Sequence, residues 1–447
     1  MKFESQSVQS VASARFGQID TPVGKFGVPT VAPGIRTSLD VDALLENIRA
    51  GMPILAVSPY ASFGATLGVS LSALKQPTPT LGVRPANRPL FISDPESEAL
   101  SFNCVARARY LKRMPAPGVA IKALLSTGLR SQKKATAEGR SPLTQVHSTW
   151  REVERGYTIT PVVNWSAHFQ SAVKSDVLSL PTPIIRDAST AAQALALCPA
   201  LVTDAREVRT ATSSFKMVGP HLLLDDAIFT PDSGGSQART TLLNGVKAWG
   251  TMTEMRNIVL SFKVHETRGV LTDSAMGSRA RQNVSEFVQS LHHSMGLIDG
   301  MLVAHNWDNW SLGLLDSGAD VATFRVTGRR SIEMPLRSRT KGERPAPPLF
   351  IERALVYEDV SKVMAHYRQH GAFPKPDCVE VREYWNLPTY NEQMLYAARV
   401  KCGVLTELGE RYRRAGEDTE KTIREAVLNL VVNSRISQEL SDLCPSV

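Results

Sequence analysis

Apolar residues recur at spacings of three and four between about residues 280 and 304. This spacing places them on one face of an α-helix, so the pattern predicts a long amphipathic helix over this range. Two glycines, Gly296 and Gly300, lower the helix propensity of its last part and would let another backbone pack close. The predicted apolar face consists of Val284, Phe287, Val288, Leu291, Met295, Ile298 and Leu302.

The same periodicity predicts further helices, several of them bounded by Pro, Gly or a capping residue. Ser189 is the predicted N-cap of a short helix over 189–197. The remaining predicted helices cover about 40–50, 97–113, 119–130, 350–370, 391–414 and 418–441.

Stretches rich in β-branched and aromatic residues predict strands over 155–165 and 257–264. Segments near 53–70 and 80–93 are expected to form short strands or loops, and 322–336 has hairpin character around Thr327 and Gly328. Helical patterns dominate the rest of the chain. The predicted fold class is therefore α+β and mainly helical, a helix-rich body with short strands and a helical C-terminal region.

Proline and glycine positions suggest how the 447 residues are divided. Residues 1–36 are interpreted as an extended N-terminal arm, either disordered or docked on a neighbouring subunit. A helical and loop region follows over 37–150, and a mixed α/β region over 151–336. A basic, proline-rich linker over 337–348 then leads to the helical C-terminal region, 349–447.

The charge of the chain is concentrated in one window. Residues 101–150 contain nine Lys or Arg and one acid, Glu138, for a net charge of +8, which equals the net charge of the whole chain. Clustered cations attract polyanions, whereas scattered ones mainly promote solubility. We therefore expect this window to bind the phosphate backbone of a nucleic acid, with RNA as the favoured type. Its predicted contact residues are Arg107, Arg109, Lys112, Arg113, Arg130, Lys133, Lys134 and Arg140.

A second basic cluster runs from Arg325 to Arg344. It extends the predicted nucleic-acid surface. Aromatic residues are sparse in both clusters, so we expect backbone contacts that are independent of base sequence and sensitive to salt. The contact residues predicted here are Arg329, Arg330, Arg337 and Arg339.

Composition restricts the class of protein. Hydrophobic residues at 43% and charged residues at 21% are typical of a globular chain. The five cysteines are widely spaced and form no CxxC pair, which disfavours a zinc ribbon or a disulfide framework and indicates a reducing compartment. The N-terminus lacks the apolar core of a secretory signal, and no stretch has the length of a membrane span. The expected location is a virion or the host cytoplasm.

Known catalytic motifs are weak in this sequence. There is no GxxxxGK[ST], GxGxxG or GxSxG pattern. The segment 232–237, DSGGSQ, resembles the nucleophile turn of chymotrypsin-like proteases and the DSGGFQ segment of tRNA-guanine transglycosylases. It departs from the first family at Pro231 and from the second at Ser236, and we interpret it as a turn.

Several histidines lie at positions that make them candidate site residues. His366 and His370 have the i, i+4 spacing of two metal ligands, but no third ligand is evident. The adjacent His292 and His293 point about 100° apart on a helix and are interpreted as solvated or interface residues. Residues 305–310, HNWDNW, are interpreted as a loop that inserts its tryptophans into the core, with a stacking surface as the alternative. No metal and no cofactor is predicted.

The function that these patterns favour is structural. We expect a self-assembling homo-oligomer that packages nucleic acid, such as the capsid or nucleocapsid protein of an RNA virus, without enzymatic activity and without a membrane partner. The alternative is a nucleic-acid-processing enzyme or a ribonucleoprotein subunit. In that case the densest group of acids and histidine is His221, Asp225, Asp226 and Asp232, where the two adjacent aspartates could hold a divalent metal at a strand end.

Overall fold

Most of the central part of the chain is described by a computed structural model. The described residues are 30–35, 54–57, 90–95, 159–173, 175–212, 215–265, 268–271, 277–305, 311–326, 348–351, 356–359 and 387–414.

Eight parallel strands form a closed barrel in the order of the sequence. Each strand pairs with the next, and the ring closes where the first strand pairs in parallel with the eighth, with Thr30 opposite Val321 and Gly34 opposite Arg325. The strands are β1 (Thr30–Ile35), β2 (Ile54–Val57), β3 (Leu90–Ser93), β4 (Val177–Ile185), β5 (Met217–Asp225), β6 (Val259–His265), β7 (Met301–Ala304) and β8 (Val321–Arg325).

Helices alternate with the later strands, which is the arrangement of a (β/α)8 barrel. A helix precedes β4, one follows each of β4, β5, β6 and β7, and the last lies after a small antiparallel pair of strands. The helices are α1 (Ile159–Ala172), α2 (Ala188–Thr212), α3 (Ser233–Ala248), α4 (Gly277–Gly296), α5 (Ser311–Asp316) and α6 (Tyr390–Arg414), and the antiparallel pair is β9 (Pro348–Ile351) and β10 (Val356–Asp359).

Two apolar cores result from the alternation of side chains along the strands. The larger core packs outward-facing strand residues, such as Leu178, Leu260 and Phe324, against the helices. The smaller core is built from strand residues alone and fills part of the barrel interior. It consists of Ala32, Ile92, Val177, Val259, Met301, Val303 and Val321.

Buried carboxylates fasten neighbouring strands near their N-terminal ends. Asp176 directly precedes β4, and its carboxylate accepts a 2.8 Å hydrogen bond from the backbone N–H of Phe91 in β3. This bond joins β3 to β4. Asp320 accepts a 2.7 Å bond from the N–H of Leu302 and joins β7 to β8. Each bond satisfies a backbone donor that would otherwise be buried without a partner.

The mainly helical α+β prediction is therefore wrong, and the fold is α/β with a parallel sheet closed into a barrel. The prediction failed because the barrel strands are short. β2, β3 and β7 have four residues each, too few for a period-two pattern to stand out against the longer helices.

Several element predictions need the same correction. The predicted strand over 155–165 is the start of α1, where Pro161 occupies the first turn and so removes no helical hydrogen bond. The predicted helix over 280–304 ends at Gly296, and Met301–Ala304 is β7. The seven apolar residues of its predicted face are all buried, as expected. In the predicted helix over 350–370, the described residues form part of β9 and β10.

Other predicted elements are present with shifted ends. The helix expected over 189–197 extends over 188–212, and its first turn is capped by Asp187 rather than Ser189, because the Thr190 N–H donates to the Asp187 carboxylate at 2.8 Å. The strand over 257–264 corresponds to β6, and the helix over 391–414 to α6. Strands β2 and β3 lie within the segments 53–70 and 80–93.

The barrel draws strands from several of the regions that the sequence suggested. Thr30–Ile35, near the end of the predicted arm, form β1, which pairs with β2 and β8 of the same chain. In the segment with predicted hairpin character, the described strand β8 pairs in parallel with β1 and β7. The helices predicted over 40–50, 97–113, 119–130 and 418–441 lie outside the described residues.

Candidate active site in the barrel

Inside the barrel, the side chains change from apolar to polar toward the C-terminal ends of the strands. Along β6 the inward positions are Val259, Ser261, Lys263 and His265, so that one strand passes from an apolar to a polar interior. His221 of β5 lies opposite Ser261 in the strand register. In barrels of this kind the C-terminal ends of the strands carry the functional groups.

An ion pair spans the barrel interior at this level. The Lys263 ammonium lies 2.9 Å from Oδ2 of Asp94, the residue that follows β3. Both side chains are almost fully enclosed, with 3% and 6% of their surface exposed. Since β4 and β5 separate β3 from β6 in the ring, the pair links non-neighbouring strands through the interior.

Two imidazoles complete the group. The Nε2 atom of His221 is 4.0 Å from Oδ1 of Asp94, and its Nδ1 atom is 2.9 Å from Oγ of Ser261. The ring of His305, just beyond β7, lies 5.3 Å from the His221 ring between centroids, and both residues are buried. We call Asp94, His221, Lys263 and His305 the barrel cluster.

The environment fixes the charge of two cluster members. Burial acts to raise the pKa of Asp94, but attraction to Lys263, His221 and His305 and the hydrogen bond from Lys263 outweigh it, so this pKa lies well below its ordinary value. Burial lowers the pKa of His221 to about 4, with Asp94 opposing the shift and Lys263 adding to it. At neutral pH the cluster therefore contains a carboxylate and a neutral imidazole that can accept a proton.

The rim above the cluster is held by two further aspartates at the end of β5. Asp225 pairs with Arg186 at 3.2 Å and accepts a hydrogen bond from the Ala227 N–H. Asp226 accepts bonds from the N–H groups of Arg268 and Val270, and so fixes the chain after β6. These contacts give both carboxylates a part in shaping the loops of the barrel mouth.

The DSGGSQ segment, which was predicted to form a turn, instead begins a helix. Asp232 is the N-cap of α3, and its carboxylate accepts a 2.7 Å hydrogen bond from the Gly235 N–H. That bond is the main reason why the pKa of Asp232 is lowered. A side chain at Gly235 would come within 2.7 Å of the Thr230 carbonyl oxygen, so the tight turn requires glycine there.

The predicted group of His221, Asp225, Asp226 and Asp232 is thus divided by the fold. His221 points into the barrel, while the three aspartates are engaged at the rim and at the start of α3. His292 and His293 lie on α4, partly or largely exposed, as expected. His366 and His370 lie outside the described residues.

The predicted nucleic-acid contacts all lie outside the described residues as well. The strands that precede these residues in the sequence belong to the barrel. The segment that contains the first basic window connects β3 to α1, and the second basic cluster follows β8. The strands that precede these segments, β3 and β8, end on the side of the barrel where the barrel cluster lies. The residues concerned are Arg107, Arg109, Lys112, Arg113, Arg130, Lys133, Lys134, Arg140, Arg329, Arg330, Arg337 and Arg339.

Sequence reasoning missed Asp94, Lys263 and His305 as site residues. A signal for two of them was present, because Lys263 is the one charged residue in the predicted strand 257–264, and Asp94 follows the short strand-like run 90–93. A lysine in a strand that is buried on both faces needs a partner inside the protein. Only the closure of the barrel, however, identifies that partner.

The cluster contains the groups that proton transfer requires. Within the described ranges, no group of three or more His, Cys, Asp or Glu side chains is arranged to hold a metal. The carboxylate and the neutral imidazole can accept protons, the ammonium can donate one, and all are shielded from bulk water, which strengthens their electrostatic effects.

No protein-family model matches the sequence, and no curated protein matches it. Among the helices that the structure describes, none combines the length and apolar character needed to cross a membrane.

Proposed function

We propose that this chain is an enzyme, and that the barrel cluster is its active site. The cluster would perform acid–base catalysis on a substrate bound at the C-terminal end of the barrel. Asp94 and His221 would exchange protons with the substrate, and Lys263 would bind or polarise it.

The observation that carries this proposal is the enclosed ion pair with two imidazoles beside it. Burying an ion pair gives little net stability, because desolvation offsets most of the attraction. Packed apolar side chains would stabilise the interior at least as well, and the N-terminal half of the same interior is packed in that way. Perturbed titratable groups at this end of a parallel barrel are typical of active sites.

The basic segments favour an anionic substrate. The window 101–150, with its net charge of +8, follows β3 and therefore Asp94 in the sequence. The cluster 325–344 begins at the end of β8. Clustered cations in the chain attract phosphate-bearing or carboxylate-bearing molecules, so the charge favours such a substrate.

The proposal is tested by incubating the full chain with mixed 2-oxo acids, aldehydes, sugar phosphates and nucleoside monophosphates and following them by proton NMR. We expect conversion of at least one compound, and its loss in the Asp94→Asn and His221→Gln variants. The control variants Asp299→Asn and His293→Gln change exposed residues of the same types and should keep the conversion. Absence of conversion across the panel, or equal conversion by all five proteins, would contradict the proposal.

Packaging of nucleic acid remains the second candidate, because the net charge of the chain resides in a single window. It predicts large homogeneous particles that contain RNA. Light scattering after size-exclusion chromatography, with absorbance at 260 and 280 nm before and after RNase, tests it directly. A nucleic-acid-free species of one or two chains would contradict packaging. If particles form, Ala substitution of Arg107, Arg109, Arg113, Lys133 and Lys134 should abolish their RNA content.

A further inference from the structure

We infer that Lys263 is a covalent catalytic residue that forms an imine with the carbonyl group of its substrate. This inference rests on the proposed function and specifies it, since it names aldehydes, ketones and 2-oxo acids as the substrate class. It is drawn from the position of the lysine, from the groups beside it and from the chemistry that they permit.

The position of Lys263 is unusual for a structural lysine. It lies on the inward face of β6, two residues before the strand ends, and 2% of the residue is exposed. Lysines are rarely buried, because the long side chain loses its freedom and the ammonium loses its hydration. Lys263 is thus held in one place at the end of the barrel where substrates enter folds of this type.

The neighbours of Lys263 supply what an amine nucleophile requires. The ammonium cannot attack a carbonyl until it loses a proton, and Oδ2 of Asp94 lies 2.9 Å from its Nζ. His221 lies on the other side of the same carboxylate, 4.0 Å from Oδ1, and its other ring nitrogen contacts Ser261. A proton released by Lys263 therefore has one acceptor in direct contact and a second base close by.

The reaction balances with these groups alone. Asp94 passes one proton from the Lys263 ammonium to the neutral imidazole of His221, the free amine adds to the carbonyl carbon, and a second proton moves from the nitrogen of this adduct to the former carbonyl oxygen. The resulting carbinolamine loses its hydroxyl as water, using a proton returned by Asp94 or His221, and the nitrogen lone pair forms the C=N bond. The products are one protonated imine and one water molecule. The imine then withdraws electrons from the adjacent carbon, which eases loss of a proton or cleavage of a carbon–carbon bond there.

A purely structural ion pair is the competing explanation, and the two differ in one respect. Arginine can replace lysine as the cation that pairs with Asp94, but it does not form an imine with a carbonyl under these conditions. The Lys263→Arg variant therefore separates charge from nucleophilicity at the same position.

The experiment is reductive trapping. The full chain is incubated with pyruvate, and separately with glycolaldehyde, in the presence of sodium cyanoborohydride, which reduces an imine to a stable secondary amine. Peptide mass spectrometry then compares labelling of Lys263 with labelling of Lys247, an exposed lysine of α3. We expect at least one probe to label Lys263 roughly tenfold more than Lys247, since only Lys263 has a base in contact. Labelling of Lys263 should fall to the level of Lys247 in Asp94→Asn, while in Lys247→Met the amount of label on Lys263 should equal that in the wild type.

Labelling of Lys263 no stronger than that of Lys247 with both probes would overturn the imine. The NMR conversion assay keeps this failure distinct from failure of the proposed function. Conversion that survives Lys263→Arg but is lost in His221→Gln would refute the imine and support acid–base catalysis. The imine and the proposed function would both be supported by three results together. Conversion would be lost in Lys263→Arg, the urea midpoint of that variant would be unchanged, and the wild-type protein would be labelled specifically at Lys263.

Discussion

Protonation of His221 should couple the stability of the barrel to pH. The folded protein holds this ring at a pKa of about 4, against 6.5 for an ordinary histidine, because burial penalises the charged form. The groups that face it are Asp94, Lys263, Ser261 and His305. Because the unfolded chain takes up this proton more readily, the contribution of His221 to the free energy of unfolding should decrease as pH falls from about 6.5 to 4 and level off below that range.

The size of this loss of stability follows from the shift in the pKa of His221. Each pKa unit corresponds to about 1.4 kcal/mol, so the full loss below pH 4 is about 3 kcal/mol. At pH 5 the unfolded ring is almost fully protonated and the folded ring mostly neutral, which gives a loss of about 2 kcal/mol relative to pH 8. Asp94 does not interfere between pH 8 and pH 5, because its carboxyl stays ionised in the folded protein and titrates near its ordinary pKa of 3.8 in the unfolded chain.

The assay is urea unfolding at intervals from pH 8 to pH 5, followed by tryptophan fluorescence, to which the buried Trp249 contributes. The His221→Gln variant should lack this part of the pH dependence, whatever its stability at pH 8. The matched control is His293→Gln, which removes an exposed histidine and should keep the wild-type slope. If wild type and His221→Gln lose stability in parallel between pH 7 and pH 5, the assignment of a neutral, buried ring is refuted.

Three further changes test the packing. Gly219→Ala would press a Cβ against the Val259 carbonyl oxygen of β6 and should destabilise the protein by about 3 kcal/mol, whereas Gly296→Ala, in open space at the end of α4, should be neutral or stabilising by up to about 1 kcal/mol. Asp232→Ala removes the N-cap of α3 and should lower the free energy of unfolding by about 1 kcal/mol, while Asp232→Asn should retain most of it. Lys263→Met leaves Asp94 as a buried charge and should cost about 3–5 kcal/mol, and the double variant with Asp94→Leu should recover much of that loss. Urea unfolding at pH 7 measures all three, and a double variant less stable than the single one would argue against a buried ion pair.

The sequence predicted the outer layer of this fold better than its centre. The face of α4 could be identified because a helix repeats its contact pattern every three to four residues over a long stretch. The four-residue strands carry no comparable repeat, and strands buried on both faces lack the polar alternation that marks exposed sheets. Their parallel pairing depends on contacts between distant segments, such as Thr30 with Val321, that no local pattern encodes.

The candidate site was hidden for the same reason. His221 and Lys263 lie on the neighbouring strands β5 and β6, His305 directly follows β7, and Asp94 directly follows β3 across the ring. Each of these four residues is isolated in the sequence. Asp225, Asp226 and Asp232, by contrast, are close in sequence, but in the fold each accepts hydrogen bonds from a different part of the backbone. Lys263 stood out as a charged residue in a strand of mostly apolar residues. The closed barrel explains its presence, because its ammonium pairs with Asp94 across the interior.

Closure of the ring by β1 and β8 sets the order of events during synthesis. β1 emerges first among the eight strands, but the partner that completes it, Val321 to Arg325, is made last. At ordinary translation rates the first strand waits ~15–60 s for that partner, with an unpaired edge throughout. Such an edge can pair with other nascent chains. The barrel thus has to be completed as a late, single step, and cells that make this protein in quantity should rely on chaperones that shield the early strands until the eighth has left the ribosome.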